Sequence, residues 1–200
     1  NPVVFLEGEE GDGATTTLAQ FCQKFPDQTF SLFIKPASRF AYSPDYLRLA
    51  LAEQFQWYIS GTSLDKAFLD ESEFQTLIHH VRKKKKASTL YFVVDGLHQI
   101  PAEDTRLVET IIREVLPIGV DNCRFIIAGQ QENIGKFVTK VGTKPYQQLK
   151  FRLEDTQKYL LSLNLFEADI AEIHKICKGI PGRIASVKRL ISSGKTLESI

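Results

Sequence analysis

The sequence predicts an α/β fold: a five-stranded parallel sheet between layers of helices, followed by a small all-helical segment. Three observations carry that expectation. Short, uninterrupted apolar runs alternate with longer stretches of helical spacing, the pattern of parallel strands joined by crossover helices. The first run passes through a glycine-rich turn, "GEEGDGATTTL", directly into a helical stretch. From Glu154 onward only helical patterns remain. The expected division is therefore an α/β body over 1–152 and a helical subdomain over 153–200.

Each element has its own warrant. Val3 to Leu6 is apolar throughout, as a strand covered on both faces should be. Thr15 to Phe25 has helical spacing, and "TFSLFIK", Thr29 to Lys35, is the second strand. Ser43 as N-cap and Pro44 in the first turn open a helix whose pattern runs through Tyr46, Leu47, Leu49, Ala50, Leu51 and Phe55. Another helix covers Glu71 to Val81 and runs into "RKKKK". "TLYFVVD", Thr89 to Asp95, is the clearest strand. A helix from Glu103 to Val115 then leads to "CRFIIAG", Cys123 to Gly129. "QLKFRL", Gln148 to Leu153, completes the sheet. The tail reads as helices at Glu154 to Leu163, Glu167 to Cys177 and Pro181 to Ile191.

Composition narrows the function classes without choosing among them. The 43% hydrophobic and 24% charged content is ordinary for a globular chain, and 25 Lys and Arg nearly balance 24 Asp and Glu, so net charge names no partner. Cys22, Cys123 and Cys177 are odd in number and lie in apolar stretches, which suits buried thiols in a reducing cytoplasm better than disulfides or zinc. No apolar run approaches the roughly 20 residues of a membrane span. Methionine is absent and the chain opens on "NPVVFLEG", which reads as a segment of a longer protein.

The glycine-rich turn carries the chemistry. A phosphate-binding loop aims successive backbone N–H groups and a helix N-terminus at phosphate oxygens. Glycines allow the curvature, a lysine bridges the outer phosphates, and a Ser or Thr hydroxyl ligates magnesium. Gly8, Gly11 and Gly13 are placed for the backbone part and Thr15 for the hydroxyl. Ala14 stands in the lysine's position, and Glu9, Glu10 and Asp12 put carboxylates beside a would-be polyphosphate. Three readings stay open: a nucleotide site that works without its cation, a disabled site, and a strand-to-helix turn with no ligand.

"LYFVVDG" has the form of such a site's second element, an apolar strand ending in an acid. Asp95 would hold the water shell of the metal. The residues after it, Gly96, Leu97, His98 and Gln99, supply no carboxylate to orient an attacking water. His98 could act as a base or phosphate sensor, and a histidine in a surface turn is the plainer reading.

Together, "GEEGDGATTTL", "YFVVDGLHQI", "RFIIAGQ" and "CKGIPGRI" resemble, in order and spacing, the STAND class of P-loop NTPases, which includes NACHT and NB-ARC modules. In that class the first motif reads Gly-x-x-Gly-x-Gly-Lys-Thr-Thr, and Gly8, Gly11, Gly13, Thr15 and Thr16 meet every fixed position but the lysine. The second continues Asp-Gly-Leu-Asp-Glu; Asp95, Gly96 and Leu97 match, while His98 and Gln99 replace the acids. The third ends in Ser/Thr-Arg, and here Ala128, Gly129 and Gln130 leave no sensor arginine. The fourth is a Gly-x-Pro motif, met by Gly179, Ile180 and Pro181, whose proline packs near the adenine in the family.

The resemblance implies a three-layer P-loop NTPase with sheet order 5-1-4-3-2 and a helical lid. It implies ATP or ADP with Mg2+ as ligands, held weakly or not at all, through Gly8, Gly11, Gly13, Ala14, Thr15, Thr16 and Pro181, with Thr15 and Asp95 at the metal. Lysine, catalytic acid and sensor arginine are all missing, so hydrolysis is not expected. The implied role is a switch or oligomerisation domain in a longer cytoplasmic protein of signalling, immunity or antiviral defence. An effector domain would precede it and a sensor would follow, and the full-length protein would self-associate; neither membrane nor nucleic acid is among the expected partners. Alternatives are a ligand-free scaffold, a loop disabled by an engineered Lys-to-Ala change at position 14, and an ATPase completed by a neighbouring subunit's arginine.

Other features have plain readings. "RKKKK", Arg82 to Lys86, is a solvated turn at a helix end, where lysines also favour the helix dipole. Phe40, Tyr42, Tyr46, Phe55, Trp57 and Tyr58 mostly fall at helix-core spacing and are expected in the core. Lys35 and Arg39, just past the second strand, are candidates for a displaced cation at the carboxyl edge of the sheet.

Overall fold

The computed structural model describes residues 3–8, 11–35, 38–84, 88–130, 145–147 and 150–196. Its strands are β1 (Val3–Glu7), β2 (Thr29–Phe33), β3 (Leu90–Asp95), β4 (Cys123–Gly129) and β5 (Pro145–Gln147). They form one sheet in the order β2-β3-β4-β1-β5, the implied 5-1-4-3-2 read from the other edge. The pairs β2–β3, β3–β4 and β1–β4 are all parallel. This is a P-loop NTPase-like α/β fold.

The helices are α1 (Ala14–Lys24), α2 (Pro44–Ser60), α3 (Glu71–Lys84), α4 (Thr105–Thr110), α5 (Leu153–Leu160), α6 (Glu167–Cys177) and α7 (Pro181–Ser192). Ser43 caps α2, its hydroxyl accepting the Tyr46 N–H at 3.3 Å, and Gly61 ends it in a left-handed conformation. The sheet is covered on both faces, and β3 shows how. Its consecutive residues Tyr91 and Phe92 point to opposite faces. Phe21 of α1 and Phe25 just past its end lie 5.1 and 5.9 Å from the Tyr91 ring, whereas Phe55 of α2 lies 6.0 Å from Phe92. Being buried on both faces explains why β3 and β4 read as continuous apolar runs.

The chain forms two compact units: residues 1–7 with 15–146, and residues 8–14 with 147–200. The first has a large core that includes Phe5, Phe30, Phe55, Phe74, Phe92 and Phe125. The second has its own, built on Leu160, Ile170, Ile173, Cys177 and Ile184. Within it Thr156, fully buried, hydrogen-bonds through its hydroxyl to His174 Nδ1 at 2.8 Å.

Several sequence expectations are corrected. The last strand is Pro145–Gln147, not Gln148 to Leu153; residues 148–149 lie outside the described set, and Leu153 opens α5. Asp155 causes the switch, since its carboxylate accepts the Arg152 N–H at 3.0 Å and starts a helix where the alternation looked strand-like. The expected helical stretch from Glu103 to Val115 is observed, but its hydrogen bonding changes along it, from a 3₁₀ turn through the short α4 to a π-helical turn at Ile111–Val115, after which the Leu116 N–H reaches back to Ile111 O. Of the aromatic cluster, Tyr42 and Phe55 are buried, but Phe40 and Trp57 are 69% and 63% exposed. Cys123 and Cys177 are buried and Cys22 half-buried, all as free thiols. Within the basic run, Lys85 and Lys86 lie outside the described residues.

Candidate functional site

In the first unit, the metal-type residues meet. Thr15, in the first turn of α1, donates its hydroxyl to Asp95 Oδ2 at 2.5 Å, across 80 positions of sequence. Asp95 ends β3 and is 5% exposed. Its other oxygen, Oδ1, accepts the Gly96 N–H at 2.8 Å, and its carbonyl accepts the Ile34 N–H at 2.9 Å. The carboxylate is thus fixed by strand pairing behind it and by two donors in front.

Gly96 makes that geometry possible. Its φ is +88°, and a Cβ there would lie 2.0 Å from Ile34 O and 2.9 Å from Ile34 C. Only glycine can occupy the turn while β2 and β3 stay paired. The turn continues as a 3₁₀ segment, Leu97–Gln99, with Leu97 fully buried and His98 half-buried. Gln130 follows the end of β4 and is half-buried.

The candidate displaced cations separate. Arg39 is committed to Asp104, Nη2 to Oδ1 at 2.8 Å, and Tyr42 donates its hydroxyl to Asp104 Oδ2 at 2.9 Å. Burial, and then the Asp104 carboxylate, push the Tyr42 hydroxyl above the ordinary tyrosine range. Lys35 is exposed just beyond β2.

The second unit holds the glycine loop. Gly11 and Gly13 both have φ +90°, a curvature that side chains resist. Asp12 between them is 5% exposed. The Gly182 N–H donates to Gly11 O at 2.7 Å, and a Cβ on Gly13 would rest 3.7 Å from Pro181 Cβ. Ala14, half-buried, is the first residue of α1 and is joined directly to Thr15. Thr16 is exposed on the same helix, and Gly8 is half-buried after β1. Glu9 and Glu10 lie outside the described residues.

A hydroxyl and a carboxylate held together suit Mg2+, which keeps most of its waters and takes one or two protein oxygens. Thr15 and Asp95 fit that requirement; among the described residues no cluster of three or more His, Cys, Asp or Glu could hold a metal by itself. No fixed cation stands at position 14 to neutralise outer phosphates. Sequence reasoning missed one residue here, Gly182. Gly182 had a signal, since a glycine in a helix's first turn raises the question of close backbone approach. The structural demand on Gly96 was visible only as part of a motif.

No protein-family model matches the chain, and no curated protein matches it. Among solved structures it is similar to the crystal structure of Cdc6p from Pyrobaculum aerophilum, with 17% identity and a TM-score of 0.49. That similarity covers 80% of this chain but 42% of the other, so the chain spans less than half of that structure. The strand order and the Asp95 turn carry the fold assignment. Among the described residues no helix is long and apolar enough to cross a membrane.

Proposed function

We propose that this chain is a degenerate P-loop NTPase module of the STAND type, a nucleotide-responsive switch with little or no hydrolysis. The observation that carries the reading is the Thr15–Asp95 pair, held at 2.5 Å while the lysine position is alanine. That pairing keeps the magnesium half of a nucleotide site in a chain that lacks the phosphate-bridging cation. ATP or ADP with Mg2+ would bind weakly, with loop amides from Gly8 to Thr16 on the phosphates and Pro181 at the base. His98, Gln99 and Gln130 stand where a hydrolytic enzyme of this class has its acids and arginine, so turnover is not part of the role.

In this reading residues 1–152 form the nucleotide-binding body and 153–200 the lid of a longer cytoplasmic protein. An effector domain precedes the module, a sensor follows it, and self-association of the full-length protein is the output. Immune or antiviral signalling is the setting that the family resemblance suggests. One observation favours a second reading, a scaffold without ligand: Asp12, inside the loop, is 95% withdrawn from solvent as a carboxylate where phosphate oxygens would need donors.

Calorimetry with ATP and ADP, with and without Mg2+, separates the two readings. The switch reading expects weak, Mg2+-dependent heat in the native chain, roughly tenfold tighter binding in Ala14→Lys, and loss of the Mg2+ dependence in Asp95→Asn. No heat in the native chain beside tight binding in Ala14→Lys sinks it and establishes the scaffold.

A further inference from the structure

The loop residues Gly8–Ala14 belong to the same compact unit as α5, α6 and α7. Within that unit the loop and the start of α7 are joined by a backbone hydrogen bond. Helix α7 begins at Pro181, whose ring nitrogen has no hydrogen to donate, and Ile180 before it offers no side-chain cap. The first helical N–H in need of a partner is that of Gly182, and it donates to Gly11 O at 2.7 Å. The loop carbonyl thus does for α7 what the Ser43 hydroxyl does for α2.

The fit is closed to any larger residue. A Cβ on Gly182 would lie 2.8 Å from both Cα and O of Gly11. From the loop's side, a Cβ on Gly11 would lie 3.3 Å from Ile180 Cγ2, a side chain that is 1% exposed. Gly182 is not one of the positive-φ glycines, so its backbone conformation gives no reason for glycine. The closeness of the two backbones does.

We propose that Gly11 and Gly182 form a ligand-independent latch, in which the phosphate loop and the start of α7 hold each other directly. The loop then changes shape only when α7 releases it, and displacement of α7 becomes the signal that frees the loop. The latch stands without nucleotide binding; only its use as a regulator rests on the function proposed above.

Gly182→Ala tests it because the two possibilities have opposite signs. Alanine is the better helix former, so without a latch the substitution raises the melting temperature and leaves the loop unchanged. With the latch, the added methyl forces the backbones apart. The melting temperature of the second unit falls, and NMR order parameters of residues 11–14 drop from about 0.85 to below about 0.6. Amides of β3 and β4 stay as protected as before. A rise in melting temperature, or loop order parameters that do not move, overturns the proposal. Should the variant not fold its second unit, the native chain still decides. The latch requires the Gly182 amide to exchange within about tenfold of the Ile184 amide inside α7, and exchange a thousandfold faster refutes it. Both measurements are made without nucleotide, so failure of the latch and failure of nucleotide binding are separate results.

Discussion

Replacing Gly96 by alanine should be among the most damaging single-methyl additions in the first unit. Two costs are read from the turn. Alanine at φ +88° carries the left-handed penalty of about 1–2 kcal/mol. The new Cβ would also sit 2.0 Å from Ile34 O, far inside van der Waals contact, so β2 and the turn must separate. Separation gives up the Ile34 N–H to Asp95 O bond, about 1 kcal/mol, and loosens the Gly96 N–H to Asp95 Oδ1 bond, about 1.5–3 kcal/mol for a charged acceptor. The sum is about 3.5–6 kcal/mol, a large part of the 5–15 kcal/mol that holds an ordinary domain together. Gly61→Ala is the control: its φ is +71°, and a Cβ there meets nothing within 4 Å, so it should incur the conformational penalty alone, about 1–2 kcal/mol. Urea unfolding followed through Trp57, the one tryptophan, which lies in the first unit, compares the two. The expected gap is about 3 kcal/mol, near 1–2 M in midpoint. Equal losses for the two variants would show that the Ile34 contact relaxes freely and that Gly96 does not hold the Asp95 turn.

Two further outcomes follow from polar groups that are half-buried or buried. Gln54→Ala removes the bonds from Ser31 N–H to Gln54 Oε1 and from Gln54 Nε2 to Ser31 O, at 2.8 and 2.9 Å, and should cost about 1–2 kcal/mol in the same urea experiment; a loss under 0.3 would mean that water replaces the side chain fully. Burial pushes the Cys123 thiol up to about 11 from its ordinary 9.0, so the folded chain keeps a proton that the unfolded chain releases. That contribution is intact below about pH 9 and is lost as pH rises to about 11, by up to roughly 3 kcal/mol; Cys123→Ala should flatten the decline, and an unchanged slope would contradict the assignment.

Much of the fold was legible because burial on two faces leaves a strong trace. β4 is observed at the residues expected, Cys123 to Gly129, and β3 begins one residue later than expected. Helix α6 matches its expected span, and Ser43 with Pro44 marks the start of α2. Strand order was not readable from periodicity, which describes a strand's faces and not its neighbours; it came with the family resemblance. The alternation in "QLKFRL" was misleading because Phe151 is partly buried against the helical core and Asp155 caps a helix, two demands that imitate a strand. Phe40 and Trp57 misled for the opposite reason: helical spacing assigns a face, but at 69% and 63% exposure they lie outside the packed interior. At the site, the residue types for the Thr15–Asp95 pair could be read directly. The service of Gly11 to Gly182 could not, since a backbone carbonyl has no sequence signature.

The amide of Gln54 also bears on how copies of this chain can associate. β2 ends the sheet, and parallel pairing turns every second residue of an edge strand outward with its N–H and C=O available to a stranger. At the middle of β2 that pair of groups, on Ser31, is taken by the primary amide of Gln54, which presents the donor and acceptor of a peptide bond without a chain attached. A neighbouring molecule therefore finds a strand that has already been answered at its centre. Strand addition at β2 would have to break both bonds first, so the centre of that margin resists templated growth.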